Sequence, residues 1–213
     1  MCVAITNGYC TLAQVKAALR ISDTVDDTLL ETSVESASRL IDGYCNRSFY
    51  SQGTATRIYT ARDPYFCMVD DFTSIISLKS SVLTPGTFEI SWNLPGGTAT
   101  PVDVQLEPLN AVIEATPWSY DRLRAVGRCF FPTLTTNYGT QALVQVTAVF
   151  GWSAIPKVVE QATIIQASRL FKRLDSPLGV AGFGEMGVMR VSRAIDPDVA
   201  MLVDPYRKMV TLV

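Results

Sequence analysis

Residues 151–193 read GWSAIPKVVEQATIIQASRLFKRLDSPLGVAGFGEMGVMRVSR, and this stretch contains the strongest helix signal of the chain followed by a glycine-rich apolar segment. Its first half predicts a helix, because a proline is well tolerated in a first turn and apolar residues follow. These residues cover more than half of the helix circumference, which is typical of a helix buried on two sides. Arg169, Lys172 and Arg173 cluster near its end, where cations complement the helix dipole. Pro177 prevents the helix from continuing.

The second half of the stretch is rich in glycine and largely apolar. Gly182, Gly184 and Gly187 spell GxGxxG, but the dinucleotide fingerprint needs a strand before it and a helix opening within it. Here a helix precedes the motif and the strand-like VMRVSR follows, so we expect an extended loop or hairpin. Its apolar side chains would be costly to leave in water, which indicates a partner surface. These contact residues are Leu178, Val180, Phe183, Met186 and Val188.

Helices are also predicted on both sides of this stretch. Thr11 and Gln14 form a capping-box pair that starts a short helix. A longer amphipathic helix is predicted from about residue 25 to residue 45, because apolar residues recur there at three- and four-residue spacing. Near the end of the chain, Asp196 caps a last short helix. Pro205 and Tyr206 interrupt that helix, and the apolar residues after them are expected to form a docking tail.

Composition excludes several classes of function. The 213 residues include no histidine, which removes Ser-His-Asp and Cys-His catalysis and every His-ligated metal site. The formal net charge of −2 disfavours a generic nucleic-acid binder. The five cysteines are scattered without a Cys-x-x-Cys pair, so we expect buried thiols in a reducing, cytoplasm-like compartment. No catalytic, cofactor-binding or metal-binding residue is predicted.

The middle of the chain has a different character. Between residues 53 and 150, β-branched and aromatic residues alternate with polar ones, and proline and glycine separate them. This pattern predicts a small sheet or barrel, with turns that include the Asp70–Asp71 pair. The segment YDRLRAVGRCFF at residues 120–131 is read as a loop with solvated arginines and buried rings. Alternatively, Arg122, Arg124 and Arg128 could serve a nucleic-acid-binding module, because bases stack on aromatics among basic residues.

The predicted fold class is therefore α+β. Residues 1–52 would supply the N-terminal helices of a small helical bundle, and residues 53–150 would form an inserted β-rich domain. Residues 151–213 would supply the C-terminal helices, the glycine-rich contact loop and the docking tail. A helix crowded with apolar residues, followed by an apolar flexible loop, favours assembly over catalysis.

The order of these elements resembles one protein family. YCTLAQVKAAL precedes DDTLLETSVESASRLIDGYCNRSF, an insert ends in ALVQVTAVFGW, and then come IPKVVEQATIIQASRLFKRLDSPLGVAGFGEMGVMRVSR and DPDVAMLVDPYRKM. This arrangement is similar to the head–tail connector, or adaptor, proteins of long-tailed bacteriophages. The resemblance covers both helical ends, while the insert matches only in place and length.

The resemblance implies structural work in the neck of a virion assembled in the host cytoplasm. Such adaptors form a ring, usually of twelve copies, below the portal protein. They extend the channel for double-stranded DNA without binding it specifically, and they seat the stopper and hence the tail. The shared motif takes in Arg169, Lys172, Arg173 and residues 177–187. It also takes in Asp196, Pro197, Pro205 and Tyr206.

Overall fold

The computed structural model describes residues 5–81, 88, 90–96, 102–109, 111, 118–133, 143–174, 180–182, 188–190 and 195–208. The chain divides into two compact units. The helical unit combines the two ends of the chain, Met1–Phe49 and Ile155–Val213, and the sheet unit is Tyr50–Ala154. The predicted α+β class, with helices at both ends of the chain, is confirmed.

The helical unit contains four α-helices and a short two-stranded hairpin among its described residues. Their bounds are α1 Leu12–Leu19, α2 Asp27–Cys45, α3 Lys157–Leu174 and α4 Pro197–Val203, followed by a 3-10 turn at Asp204–Tyr206. The hairpin pairs β7, Val180–Gly182, with β8, Val188–Arg190, in antiparallel register.

Local signals explain where the helices begin and end. The predicted capping box is present at α1, where the Thr11 N–H donates to Gln14 Oε1 over 2.7 Å and the Gln14 N–H donates to Thr11 Oγ1 over 3.3 Å. Two residues with positive φ stop helices, Arg20 after α1 and Asn46 after α2. Asp196 caps α4 and Pro197 takes its first position, as predicted.

The core of the helical unit joins residues that are far apart in sequence. Side chains of α1, α2 and α3 meet there, so the N-terminal helices pack on a helix that follows the whole sheet unit in sequence. The fully buried members are Val15, Leu30, Val34, Ala37 and Ala167. Neither end of the chain can bury its apolar stripe without the other, which makes this unit one cooperative structure.

The sheet unit is an antiparallel sheet of order β1-β6-β2-β5-β4, with β3 paired to β2. The strand bounds are β1 Gly53–Tyr59, β2 Phe66–Ser81, β3 Ile90–Ser91, β4 Val104–Glu107, β5 Tyr120–Ala125 and β6 Leu143–Phe150. Alternate residues of β6 point into the core, as its pattern predicts. These inward residues are Val144, Val146, Ala148 and Phe150, all fully buried.

Two predictions for this unit were wrong. The turn expected at Asp70–Asp71 is absent, because strand β2 continues through both residues. The pairing of β2 with β5 shifts register between Met68 and Phe72. The loop expected at residues 120–131 begins instead with β5, whose inward residues alternate with outward arginines. Both errors arose because polar residues on the outer face of a strand resemble turn residues in a sequence.

Candidate interaction surfaces

The end of α3 carries the three cations that were predicted to form a contact surface. Arg169 forms an ion pair with Asp196 of its own chain, and the Asp196 side chain is only 1% exposed. The Asp196 backbone also contacts α3, because its N–H donates to Gln166 Oε1 over 3.3 Å. Its Oδ1 accepts the Asp198 N–H at 2.7 Å, which caps α4. Arg169 therefore helps to join α3 to α4 within one chain.

Lys172 and Arg173 are placed differently from Arg169. Both lie in the last turn of α3, where Lys172 is exposed and Arg173 is half-buried. Neither side chain forms a hydrogen bond or an ion pair with another residue in the described part of the chain. Arg169, in contrast, is paired with the buried Asp196 carboxylate.

The five apolar loop residues are only partly covered by the structure. Leu178, Phe183 and Met186 lie outside the described residues. Val180 lies opposite Arg190 and Val188 lies opposite Gly182 in the β7–β8 hairpin. Gly182 of the GxGxxG pattern ends β7, and the strand β8 follows it in sequence. The rest of the GxGxxG pattern lies outside the described residues.

The Pro205–Tyr206 step packs beside the segment that follows α2 in the same unit. Pro205 is exposed, but the Tyr206 ring meets the buried Phe49 ring edge to face, with centroids 5.8 Å apart. Just beyond it, the Lys208 N–H donates to the Cys45 carbonyl over 2.8 Å. The end of the described chain is thus held on the C-terminal end of α2.

A buried hydrogen-bond network around Tyr9 was not predicted from the sequence. The Tyr9 hydroxyl donates to Asp42 Oδ1 and accepts the Phe49 N–H at 2.8 Å, and the Tyr9 N–H donates to Ser38 Oγ over 3.1 Å. Burial raises the pKa of Tyr9 above its usual range, and its hydrogen bond to Asp42 adds to the effect. Burial also raises the pKa of Asp42, although the bond from Tyr9 and the charge of Arg39 oppose this. A lone tyrosine nine residues into a chain gives no signal of such a role.

The arginines of β5 lie on the outer face of the sheet unit. Arg122 Nε is 3.6 Å from Glu107 Oε2, and Arg124 Nη1 is 3.7 Å from Glu107 Oε1. Both guanidinium groups lie near the Phe66 ring, at 6.0 and 5.8 Å from its centroid. Arg128 is exposed beyond the end of β5. Arg122 and Arg124 therefore lie close to the same aromatic ring, Phe66, and the same carboxylate, Glu107.

The remaining candidate groups give no indication of chemistry. Burial raises the pKa of the Cys10, Cys45 and Cys67 thiols to about 12, which keeps them protonated and unreactive at neutral pH. Within the described residues there is no group of three or more Cys, Asp and Glu side chains that could hold a metal ion. No helix in that part of the chain is long and apolar enough to span a bilayer.

Part of the chain is similar to a known protein family. Residues 9–76 match the family model of the phage gp6-like head–tail connector proteins. They include α1, α2 and the first strands of the sheet unit. No curated protein sequence matches the chain.

Among solved structures, a chain from the neck of an empty GTA particle, computed with C6 symmetry, has a similar fold with a TM-score of 0.55. That similarity covers 99% of this chain and 95% of the other at 18% sequence identity, so it concerns the fold alone. The family match over residues 9–76 covers α1 and α2 of the helical unit together with β1 and most of β2 of the sheet unit. Residues 9–76 are thus similar to the head–tail connector proteins of bacteriophages, and the whole chain shares the fold of a neck protein.

Proposed function

We propose that this protein is a structural head-to-tail adaptor in the neck of a phage-like particle. In this proposal, copies of the chain form a ring of twelve that joins the portal protein to the stopper and the tail. The ring extends the channel through which double-stranded DNA leaves the head. The work is structural, and no substrate is turned over.

The observation that carries the proposal is the family match over residues 9–76. Its segment forms α1 and α2, whose apolar faces are buried against α3 from the other end of the chain. A compact unit of this kind can present several surfaces to neighbours without changing its own fold. The neck origin of the structurally similar chain supports the same location for this protein.

The surfaces available for ring and portal contacts lie in the helical unit. Lys172 and Arg173 place two cations in the last turn of α3 that have no ion-pair partner among the described residues, and Pro205 is exposed beside the last turn. The β7–β8 hairpin is a further contact element, because an isolated two-stranded hairpin is marginally stable in water and gains stability from a partner. We propose that this hairpin and the apolar loop residues hold a neighbouring subunit or the portal.

The charge of the chain is consistent with a DNA channel. A wall that bound phosphates strongly would release counterions and hold the DNA in place. The formal net charge of −2 favours passage over adhesion. We accordingly propose that DNA passes through the ring without specific binding, and that the ring assembles in the host cytoplasm.

The test is size-exclusion chromatography with light scattering on the purified chain, alone and mixed with the portal protein of the same particle. We expect a defined large complex with the portal. A chain that stays monomeric and never binds the portal contradicts the proposal.

A charge-reversal variant refines this test. Lys172→Glu with Arg173→Glu should weaken the complex, since two unpaired cations become anions. Arg20→Glu, a change at an exposed cation that ends α1, should leave the complex intact. Equal effects of the two variants would show that the end of α3 is not a contact surface.

A further inference from the structure

One outer surface of the sheet unit combines exposed aromatic and sulfur-containing side chains with incompletely paired arginines. It includes the outward residues at the start of β2, those of β5, and two exposed rings nearby. We call it the arginine–aromatic face, and its members are Tyr65, Phe66, Met68, Arg122, Arg124 and Phe130. A cavity of about 320 Å³ opens beside it, lined by Tyr65, Phe66 and Arg124 together with the chain that follows β5.

Within the described residues of the sheet unit, the two arginines of this face share a single carboxylate. Glu107 is the partner of both guanidinium groups, at 3.6 and 3.7 Å, and these distances are too long for good hydrogen bonds. Arg122 Nε is shielded from solvent and has no hydrogen-bond partner within the described part of the chain. A buried donor without an acceptor is unfavourable. One further carboxylate would both balance the second charge and accept the free donors.

The apolar part of the face is unusually exposed. Tyr65 and Phe130 are 53% and 54% exposed although their rings pack edge to face, 5.4 Å apart, and Met68 is 50% exposed. The contacting Tyr65–Phe130 pair beside the cavity, with Met68 of β2 exposed opposite Arg122 of β5, differs from the scattered exposed residues of an ordinary monomer. Aromatic residues, methionine and arginine are the types enriched in protein interfaces.

We propose that the arginine–aromatic face binds a protein segment that presents a carboxylate beside an aromatic or aliphatic side chain. The carboxylate would lie between Arg122 and Arg124, and the apolar side chain would cover Met68 and the Tyr65–Phe130 pair. The face discriminates against duplex DNA, because Glu107 leaves it a net charge of only one. Duplex DNA carries a phosphate charge about every 1.7 Å along its axis, and the Glu107 carboxylate would repel those phosphates.

The test uses a photo-crosslinking amino acid, benzoylphenylalanine, in place of Met68. The variant is produced from the native locus, in cells that make the complete assembly. Illumination should join the protein to a protein partner, and mass spectrometry should find Asp or Glu within a few residues of the crosslink. Arg122→Glu with Arg124→Glu in the same background should reduce the yield at least about tenfold.

The matched control is Lys79→Glu, which reverses an exposed charge at the other end of β2 and should leave the crosslink yield unchanged. Tryptophan fluorescence of each purified variant checks that the sheet unit is folded, since Trp92 stacks on Phe131 in its core at 4.6 Å. A crosslink to DNA, no crosslink from a folded protein, or equal yields in the two charge variants would overturn the proposal. Sedimentation of the same samples shows separately whether the protein is part of the particle. A protein that is absent from the particle contradicts the proposed neck function, whereas a missing crosslink in a particle that contains the protein contradicts only the role of this face.

Discussion

Tyr9→Phe is expected to destabilise the helical unit strongly, although it removes a single oxygen atom. The Tyr9 side chain is buried, and its hydroxyl both donates to the Asp42 carboxylate and accepts the Phe49 N–H. A hydrogen bond to a charged group contributes about 1.5–3 kcal/mol and an ordinary one about 0.5–1.5 kcal/mol. The variant should therefore lose roughly 2–4 kcal/mol of unfolding free energy.

Urea unfolding can resolve this effect within one unit of the protein. All three tryptophans, Trp92, Trp118 and Trp152, lie in the sheet unit, so their fluorescence reports on that unit. Circular dichroism at the helical band reports mainly on the helical unit. With a urea dependence of about 1–3 kcal/mol per molar, the circular dichroism midpoint should fall by about 1–2 M.

Tyr44→Phe is the matched control for Tyr9→Phe. The Tyr44 hydroxyl also donates to an aspartate of the helical unit, Asp204, over 2.8 Å, but this hydrogen bond is exposed. Water can replace an exposed partner, so the midpoint should move much less than in Tyr9→Phe. Equal shifts of the urea midpoint in the two variants would refute the reasoning. Burial of the tyrosine hydroxyl would then not determine how much its hydrogen bonds contribute to the free energy of unfolding.

Four further predictions test the stability of the two units. Gly151→Ala should destabilise the sheet unit by roughly 3 kcal/mol or more, measured by tryptophan fluorescence, because φ is +91° and a Cβ would lie 2.1 Å from the Tyr50 carbonyl oxygen. Gly43→Ala, where a Cβ meets nothing within 4 Å, should instead stabilise α2 by about 0.5–1 kcal/mol. Asp196→Ala should cost roughly 2 kcal/mol through the lost cap of α4, and Asp198→Ala, at an exposed site, should cost less in the same circular dichroism assay. Unfolding free energy should fall as pH rises from about 9 to 12, because unfolded thiols release protons that the folded protein retains. The thiols concerned are those of Cys10, Cys45 and Cys67, with pKa values raised to about 12. A flat profile over this pH range would contradict the burial of these thiols.

The helices could be predicted from the sequence because their signals are local. The Thr11–Gln14 capping box and the Asp196–Pro197 start are short patterns whose hydrogen bonds form within a few residues. The apolar stripe of α2 has a clear period, so its burial follows from the order of residues alone. The boundaries differ from the prediction by a residue or two.

The sheet was harder to predict because its determinants are distant in sequence. Asp71 looked like a turn residue, yet its carboxylate accepts the Trp152 indole N–H at 2.8 Å and is buried in β2. No pattern near Asp71 indicates a partner so far along the chain. Likewise, Arg122 and Arg124 resemble loop residues in the sequence. Their neighbours Phe66 and Glu107 lie on adjacent strands and are far away in sequence.

The proposed contact residues show the same limit. Cations at the end of α3 could be predicted from the sequence, but their separate environments could not. Arg169 faces Asp196, which only the packing of α4 on α3 brings near, while Lys172 remains exposed. The roles of all three in assembly stay predictions.

The central claim is that this chain forms the adaptor ring of a neck, and electron cryomicroscopy of purified particles tests it most directly. The reconstruction should contain, between the portal and the tail, a ring into which the four-helix unit and the antiparallel sheet unit both fit. In that ring the ends of α3 and the β7–β8 hairpins should touch neighbouring chains. A neck whose density accommodates neither unit, in particles that contain the protein, would contradict the account.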